Sequence, residues 1–259
     1  MLKTYKINKN KTKIIYKFQK DWKVKKNKVF YFSNLGIFGD DIRKFYKNFF
    51  YKVTKFKHFA EDANIKNRNK QRTNSIWMEV RFDPKIKNAY RHSSNPQPLH
   101  TDGSYIKTYP SSTLMCCVQN NTKKGETIFI SAEEIFKILN SKNKTLLNKI
   151  LKNDIIHTRS GGTKKSKILY KQNNIWKINW NYYCVDKKKN KKFFSIIEDF
   201  KLFLEKKKII KKKILSIKMQ KGDALVWKDD QVLHGRNGFI ASNTSDRFIW
   251  KCAADFFNK

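Results

Sequence analysis

The feature that most constrains the fold lies in the last 45 residues. Leu215, Ile217 and Met219 alternate with polar residues, Lys221-Gly222-Asp223 breaks the run, and Ala224-Leu225-Val226-Trp227 follows as a second apolar stretch. A period of two with a Gly-containing break is the pattern of half-buried strands joined by a tight turn. Phe248 to Ala253 reads as a last strand, and short runs of the same kind occur at 114–119 and 127–130. Residues 12–32 are also read as strands, from Ile14-Ile15-Tyr16 and Val29-Phe30-Tyr31-Phe32. Helical spacing is confined to a few places. Ile42, Phe45, Tyr46, Phe49, Phe50, Val53 and Phe56 form one stripe over 41–56, with Asp40 and Asp41 suited to its N-terminus. Ser131-Ala132-Glu133-Glu134 is a capping box opening a helix through Leu139. Shorter helices are expected at 146–151 and 194–205, and residues 175–185 are aromatic and strand-like. Many short strands with a few inserted helices imply a mainly β chain, a sandwich or jelly roll with helices on its outside. With 259 residues, one domain over 1–259 carrying a helical insert around 131–213 is the expected organisation.

Composition matters chiefly for what it excludes. Aromatics make up 14% of the chain, which a disordered tail would not carry. The net charge of +37 invites a nucleic-acid reading, but only eight of the 58 basic residues are Arg. Arg is the usual reader of bases and clamp of phosphates, and the Lys are scattered along the chain. A nucleic-acid partner is therefore disfavoured. Cys116, Cys117, Cys184 and Cys252 form no CxxC pair, so they read as buried thiols, with Cys116 and Cys117 on opposite faces of one strand. The N-terminus lacks an apolar signal core, and no stretch approaches membrane-span length. A cytoplasmic protein is expected.

Chemistry is concentrated in few residues. There are five His, and His100-Thr101-Asp102 stands at an expected strand end after the Asn95-Pro96-Gln97-Pro98 break. Residues i and i+2 of a strand share a face, so an imidazole and a carboxylate can meet one metal ion. His234, in Val232-Leu233-His234-Gly235-Arg236, can supply a second imidazole. Two His and one carboxylate on one face of a metal is the ligand set of non-haem Fe(II) oxygenases. His58 and His92 lack a matching carboxylate.

In their order and separation, five stretches resemble the TauD/TfdA family of Fe(II)/2-oxoglutarate-dependent dioxygenases, including its γ-butyrobetaine hydroxylase-like and clavaminate synthase-like branches. They are Pro98–Gly103, Gly125-Glu126-Thr127, Gly222-Asp223, Val232–Arg236 and Asp246-Arg247. The resemblance implies a double-stranded β-helix, with Fe(II) held by His100, Asp102 and His234. It further implies 2-oxoglutarate held at its distal carboxylate by Arg247 and Thr127, and dioxygen as oxidant. The chain departs from the family at Lys124, where a Gly is common, and at Asp229-Asp230-Gln231, where Asp-Asn is common. Because Asp102 is present, halogenation is disfavoured. The implied reaction oxidises, most simply hydroxylates, an unactivated C–H of a small molecule and releases succinate and CO2. Tyr105, Trp180 and Tyr182 are candidate substrate contacts, and aromatic faces of this kind suit an amino-acid-like or quaternary ammonium substrate. The stretch from His157 to Gly162 is either a lid or a plain surface turn. Two alternatives remain open: a basic nucleic-acid-binding protein on a jelly-roll scaffold, and a catalytically silent member of the fold. Substrate identity, the outcome of oxidation and oligomeric state are not encoded in any motif.

Overall fold

The computed structural model describes residues 1–34, 36, 41–57, 73–74, 76–86, 89–205 and 207–257. The chain opens with β1 (Leu2–Lys6), α1 (Lys11–Lys23), β2 (Val29–Ser33), α2 (Ile42–Phe50) and β3 (Thr54–Phe56). Next come β4 (Thr73–Asn74), β5 (Trp77–Arg81), β6 (Gln97–His100), β7 (Ser112–Asn120), β8 (Lys123–Lys124) and β9 (Thr127–Ser131). Helices α3 (Ala132–Lys142) and α4 (Lys144–Lys152) then lead into two hairpins, β10 (Asp154–Arg159) with β11 (Gly162–Lys167) and β12 (Leu169–Gln172) with β13 (Ile175–Ile178). After α5 (Phe194–Glu205) and α6 (Lys207–Ile210) the chain returns to strands β14 (Leu215–Ile217), β15 (Ala224–Lys228), β16 (Val232–Arg236), β17 (Phe239–Ile240) and β18 (Arg247–Phe256).

Two sheets form the body. The larger runs β1-β2-β15-β7-β18-β5-β4, with β3 also on β18; the smaller runs β14-β9-β16-β6. Strand alternation sorts side chains onto three apolar layers. Leu114, Cys116, Ala224, Val226, Cys252 and Ala254 face outward from the large sheet onto Phe18 of α1 and Tyr46, Phe49 and Phe50 of α2. Their sequence neighbours Met115, Cys117, Leu225, Trp227 and Ala253 face inward and meet Phe129 and Val232 of the small sheet. The outer side of the small sheet, through Ile130 and Leu233, packs on α3, α4 and α5. The chain is therefore layered as helices, large sheet, small sheet, helices. Cys116 and Cys117 do separate onto opposite faces.

Several expectations need correction. Residues 11–23, expected as strand, are helix: Ile14, Phe18 and Trp22 recur every four residues toward the aromatic layer, and the Asn10 side chain accepts from Lys13 N at the first turn. The stripe over 41–56 is helical only to Phe50, capped by Asp41. Beyond a 3-10 turn, Thr54–Phe56 pairs with Phe256–Ala254, so sheet pairing wins over helical spacing there. Residues 175–185 are strand only to Ile178, because Asn181 caps a 3-10 turn by accepting from Tyr183 N. The Ser160-Gly161 turn, with positive φ at both positions, simply closes the β10–β11 hairpin. Most of the loop expected over 57–75, and His58 with it, lies outside the described residues. Among the described residues no helix is long and apolar enough to cross a membrane.

Candidate active site

The inward faces of both sheets carry the polar residues that the apolar layers lack. His100 ends β6, Asp102 follows in the turn, and His234 sits mid-strand in β16, directly opposite His100 in the ladder. Ligand atoms of these three side chains lie within 4.8 Å of one another, and all three residues are buried. Both imidazole Nε2 atoms stand 3.7 Å from the same Asp102 oxygen, Oδ1. Two motif glycines permit this convergence. Gly103 turns with φ +54° where a Cβ would lie 2.3 Å from the Tyr109 ring, and a Cβ on Gly235 would lie 2.7 Å from the Gln97 carbonyl oxygen.

The ligand set is prepared to receive a cation. His100 Nδ1 donates to Pro98 O at 2.8 Å, which leaves the Nε2 lone pair facing Asp102. The Gln97 amide, 3.3 Å from that Nε2, would yield it to a metal. Burial lowers the His100 imidazole to about 3 and His234 to about 4, so both imidazoles are neutral at neutral pH and able to act as ligands. Burial raises the Asp102 carboxyl, but the Lys251 ammonium together with His234 and His100 outweighs it and holds the group ionised. Lys251 Nζ is 2.5 Å from Asp102 Oδ2. Asp229 completes the support. It accepts from Trp227 Nε1 at 2.8 Å and from the Asp102 backbone N–H at 2.9 Å, and its Oδ1 is 3.1 Å from His234 Nδ1, though not aligned as a hydrogen bond. Burial, reinforced by the Asp102 charge, pushes the Asp229 carboxyl up.

A second polar group occupies the same interlayer. Arg247 on β18 and Arg236 on β16 both lie against the Phe239 ring, at 5.7 and 4.8 Å. Arg236 donates to the carbonyls of Ser93 and Asn95, which anchors the loop before β6. Among the described residues no carboxylate pairs with Arg247, and its Nε has no hydrogen-bond partner. Burial brings Arg247 down to about 10, and burial with the Arg247 charge brings Arg236 to about 9. Asp246, the sequence neighbour of Arg247, accepts from the backbones of Ser242 and Asn243. Thr127 is buried on β9, opposite Arg236 in the ladder.

His100, Asp102, His234 and Lys251 open onto a cavity of about 1560 Å³. Tyr105, Trp180 and Tyr182 are all on its wall, whereas Arg247 and Thr127 are not. Tyr105 abuts Gly162, and Trp180 is mainly a core residue, edge-on to Phe200 at 4.8 Å. The Tyr182 hydroxyl donates to Glu198, and its ring already carries Lys201 and Lys187 at 4.5 and 4.9 Å. Gly222-Asp223 is architectural: Asp223 accepts from Tyr31 and from the backbones of Asn34 and Gln220. Lys124 adopts φ +65°, so the position where the family commonly has Gly keeps the left-handed backbone without it. Sequence reasoning missed Lys251, Thr113 and Asp229. Lys251 was findable, because it is four residues beyond Arg247 and therefore on the same strand face.

A search of curated proteins finds no match. Among solved structures, the non-heme iron oxygenase OrfP, in complex with Fe and alpha-ketoglutaric acid, has a TM-score of 0.71 at 9% identity, covering 100% of this chain and 95% of that one. PvcB from Pseudomonas aeruginosa has a TM-score of 0.58 at 13% identity, covering 86% and 74%. An asparagine oxygenase complexed with Fe(II), 2S,3S-3-hydroxyasparagine and succinate has a TM-score of 0.57 at 9% identity over 71% of this chain; the chain spans only 57% of that protein. At these identities the likeness is one of fold. The model of the taurine catabolism dioxygenase TauD, TfdA family matches residues 21–253, and the chain belongs to that family of non-haem iron, 2-oxoglutarate-dependent dioxygenases.

Proposed function

We propose that His100, Asp102 and His234 hold Fe(II), that Arg247 and Thr127 hold the distal carboxylate of 2-oxoglutarate, and that the enzyme hydroxylates a small carboxylate-bearing, amino-acid-like substrate. The observation that carries this is the convergence of two neutral imidazoles and one ionised carboxylate, all buried, at a cavity wall. The donor set suits a divalent iron that must keep open positions. A buried guanidinium with no acidic partner among the described residues suits a ligand carboxylate, which would meet it bidentately. When bound, iron with 2-oxoglutarate and dioxygen supplies the oxidation of a C–H bond, yielding succinate and CO2.

The chain's own residues set the conditions. Pro98 O fixes the His100 ring by its hydrogen bond, and Asp229 stands beside the His234 ring. The Trp227 ring, 4.9 Å from His234, and the Phe129 layer behind it exclude water from one side. The cavity wall carries more cationic than acidic side chains, among them Arg91, Arg159, Lys201 and Lys211. An anionic group is favoured there, and the Tyr182 face that could hold an ammonium is already covered by two Lys. An amino acid is thus a better fit than a quaternary ammonium compound. The amino-acid ligands of two structural neighbours, 3-hydroxyasparagine and (3S)-hydroxy-L-Arg, support the same class.

The test is anaerobic addition of Fe(II) and then 2-oxoglutarate, following the visible charge-transfer band of the chelate. His100→Ala should abolish the band and Arg247→Ala should weaken it. A substrate screen by succinate yield, with amino acids against quaternary ammonium compounds, then separates the two ligand classes. Absence of the band in folded wild-type protein overturns the reading.

A further inference from the structure

The two oxygens of Asp102 face different sheets. Oδ1 looks toward the small sheet, 3.7 Å from the Nε2 atoms of both His100 and His234. Oδ2 looks toward the large sheet, 2.5 Å from Lys251 Nζ and 3.4 Å from Thr113 Oγ1, which donates to it. Lys251 reaches this point from β18, two residues before Ala253, which pairs with Thr113 of β7. Both donors are therefore fixed by one strand pair, independent of the turn that carries Asp102. Lys251 is buried, and its ammonium and the carboxylate neutralise each other where water cannot.

We propose that Lys251 is a positioning residue that keeps Asp102 a one-oxygen ligand, and so preserves the coordination position that a two-oxygen Asp102 would fill. The proposal rests on the triad reading above. A carboxylate can grip a metal through one oxygen or two. Two imidazoles and one carboxylate oxygen leave a whole face of an octahedron open, enough for a two-oxygen chelator and one further ligand. If Asp102 turned its second oxygen inward, one of those positions would be lost. Turning it requires Oδ2 to give up its contacts with a buried ammonium and with the Thr113 hydroxyl, a costly step in a dry interior. The same ammonium also opposes the charge of the metal, so its role is not to tighten iron binding. Those two effects have opposite signs, which makes the role separable from a general structural one.

The experiment compares Lys251→Met, Lys251→Arg and wild type, all as iron-loaded, anaerobic protein. Three quantities are read: the Fe(II) dissociation constant, the 2-oxoglutarate affinity from the chelate band, and the number of oxygen ligands at iron by X-ray absorption. Lys251→Met is expected to bind Fe(II) as tightly as wild type or more so, to gain one iron–oxygen contact, and to bind 2-oxoglutarate at least about tenfold more weakly. Lys251→Arg keeps the cation and should restore the wild-type ligand number. Without metal, Lys251→Met leaves Asp102 without its cation, so its melting temperature should fall and be recovered by Fe(II); this also shows that the variant folds. An unchanged ligand number with wild-type 2-oxoglutarate affinity overturns the proposal. So does a parallel loss of Fe(II) affinity, which would make Lys251 a prop for the whole site. Unchanged Fe(II) affinity in His100→Ala would instead remove the triad reading beneath it.

Discussion

The two faces of the large sheet carry the same strands and do opposite things. Outward, Cys116, Val226, Cys252 and Ala254 meet a layer in which Phe18 touches Tyr5, Trp22, Phe30, Phe32, Phe50, Phe256 and Phe257 at ring distances of 5.0 to 5.9 Å. Inward, the neighbouring residues Thr113, Arg247 and Lys251 are buried and polar. A period of two allows one strand to serve both layers, since each face can be chosen without altering the other. The outward face supplies apolar burial that offsets the poor solvation of the inward one. The difference teaches that the buried charges nearest the triad, Asp102, Lys251 and Arg247, are gathered in the inward interlayer, while the aromatic rings are gathered on the outward face.

The separation can be tested by damaging each face alone. Phe18→Ala removes a ring that is fully buried among aromatics, and should lower unfolding free energy by about 3–5 kcal/mol. The folded fraction should still bind Fe(II) with wild-type affinity. A change in iron affinity comparable to the change in stability would mean that the two faces are energetically one. The converse variant, His100→Ala, should weaken Fe(II) binding by on the order of 100-fold or more while shifting metal-free stability by no more than about 1 kcal/mol. Chemical denaturation with and without Fe(II) reads both quantities. A large loss of metal-free stability in His100→Ala would show that the inward face also holds the sandwich together.

What could be read from sequence follows the same division. Where alternation and turn chemistry agree, as at 215–227 and 248–253, strands and faces were legible before any coordinates. The convergence of His100, Asp102 and His234 was legible because metal chemistry restricts candidate ligands to few residue types and the chain has only five His. Helix α1 was not, because Ile14-Ile15-Tyr16 taken alone is as good a strand as a helix turn; the fourfold repeat through Phe18 and Trp22 decides it. Phe56 was misplaced because its partner, Ala254, lies about two hundred residues away and propensity cannot see it. Lys251 was hidden by composition: in a chain so rich in Lys, one more attracted no attention, although its parity with Arg247 marks it as inward. Asp229 was noted only as a departure from the family pattern, whereas its contacts with Trp227, His234 and the Asp102 backbone make it part of the site.

The smallest expected effect probes the other boundary, between the small sheet and the helices outside it. Ser131 ends β9, and its hydroxyl accepts from Glu134 N to begin α3 with no intervening loop. The strand that carries Thr127 on its inward side thus becomes the first helix of the segment before β14 within one residue. Ile130 of β9 and Leu233 of β16 pack into the same apolar cluster as Ile135 and Leu139 of α3, so no free linker separates sheet from helices. Loss of the cap in Ser131→Ala should cost about 1 kcal/mol. If sheet and helices form one cooperative unit, the whole transition should move by that amount, with a single midpoint by both far-ultraviolet circular dichroism and tryptophan fluorescence. Iron affinity should be unchanged, because Ser131 lies away from the ligand set. Two separated midpoints would show that the helices unfold on their own. The outer layer would then be joined to the small sheet less tightly than α1 and α2 are to the large one, and the symmetry of the four layers would be one of shape and not of energy.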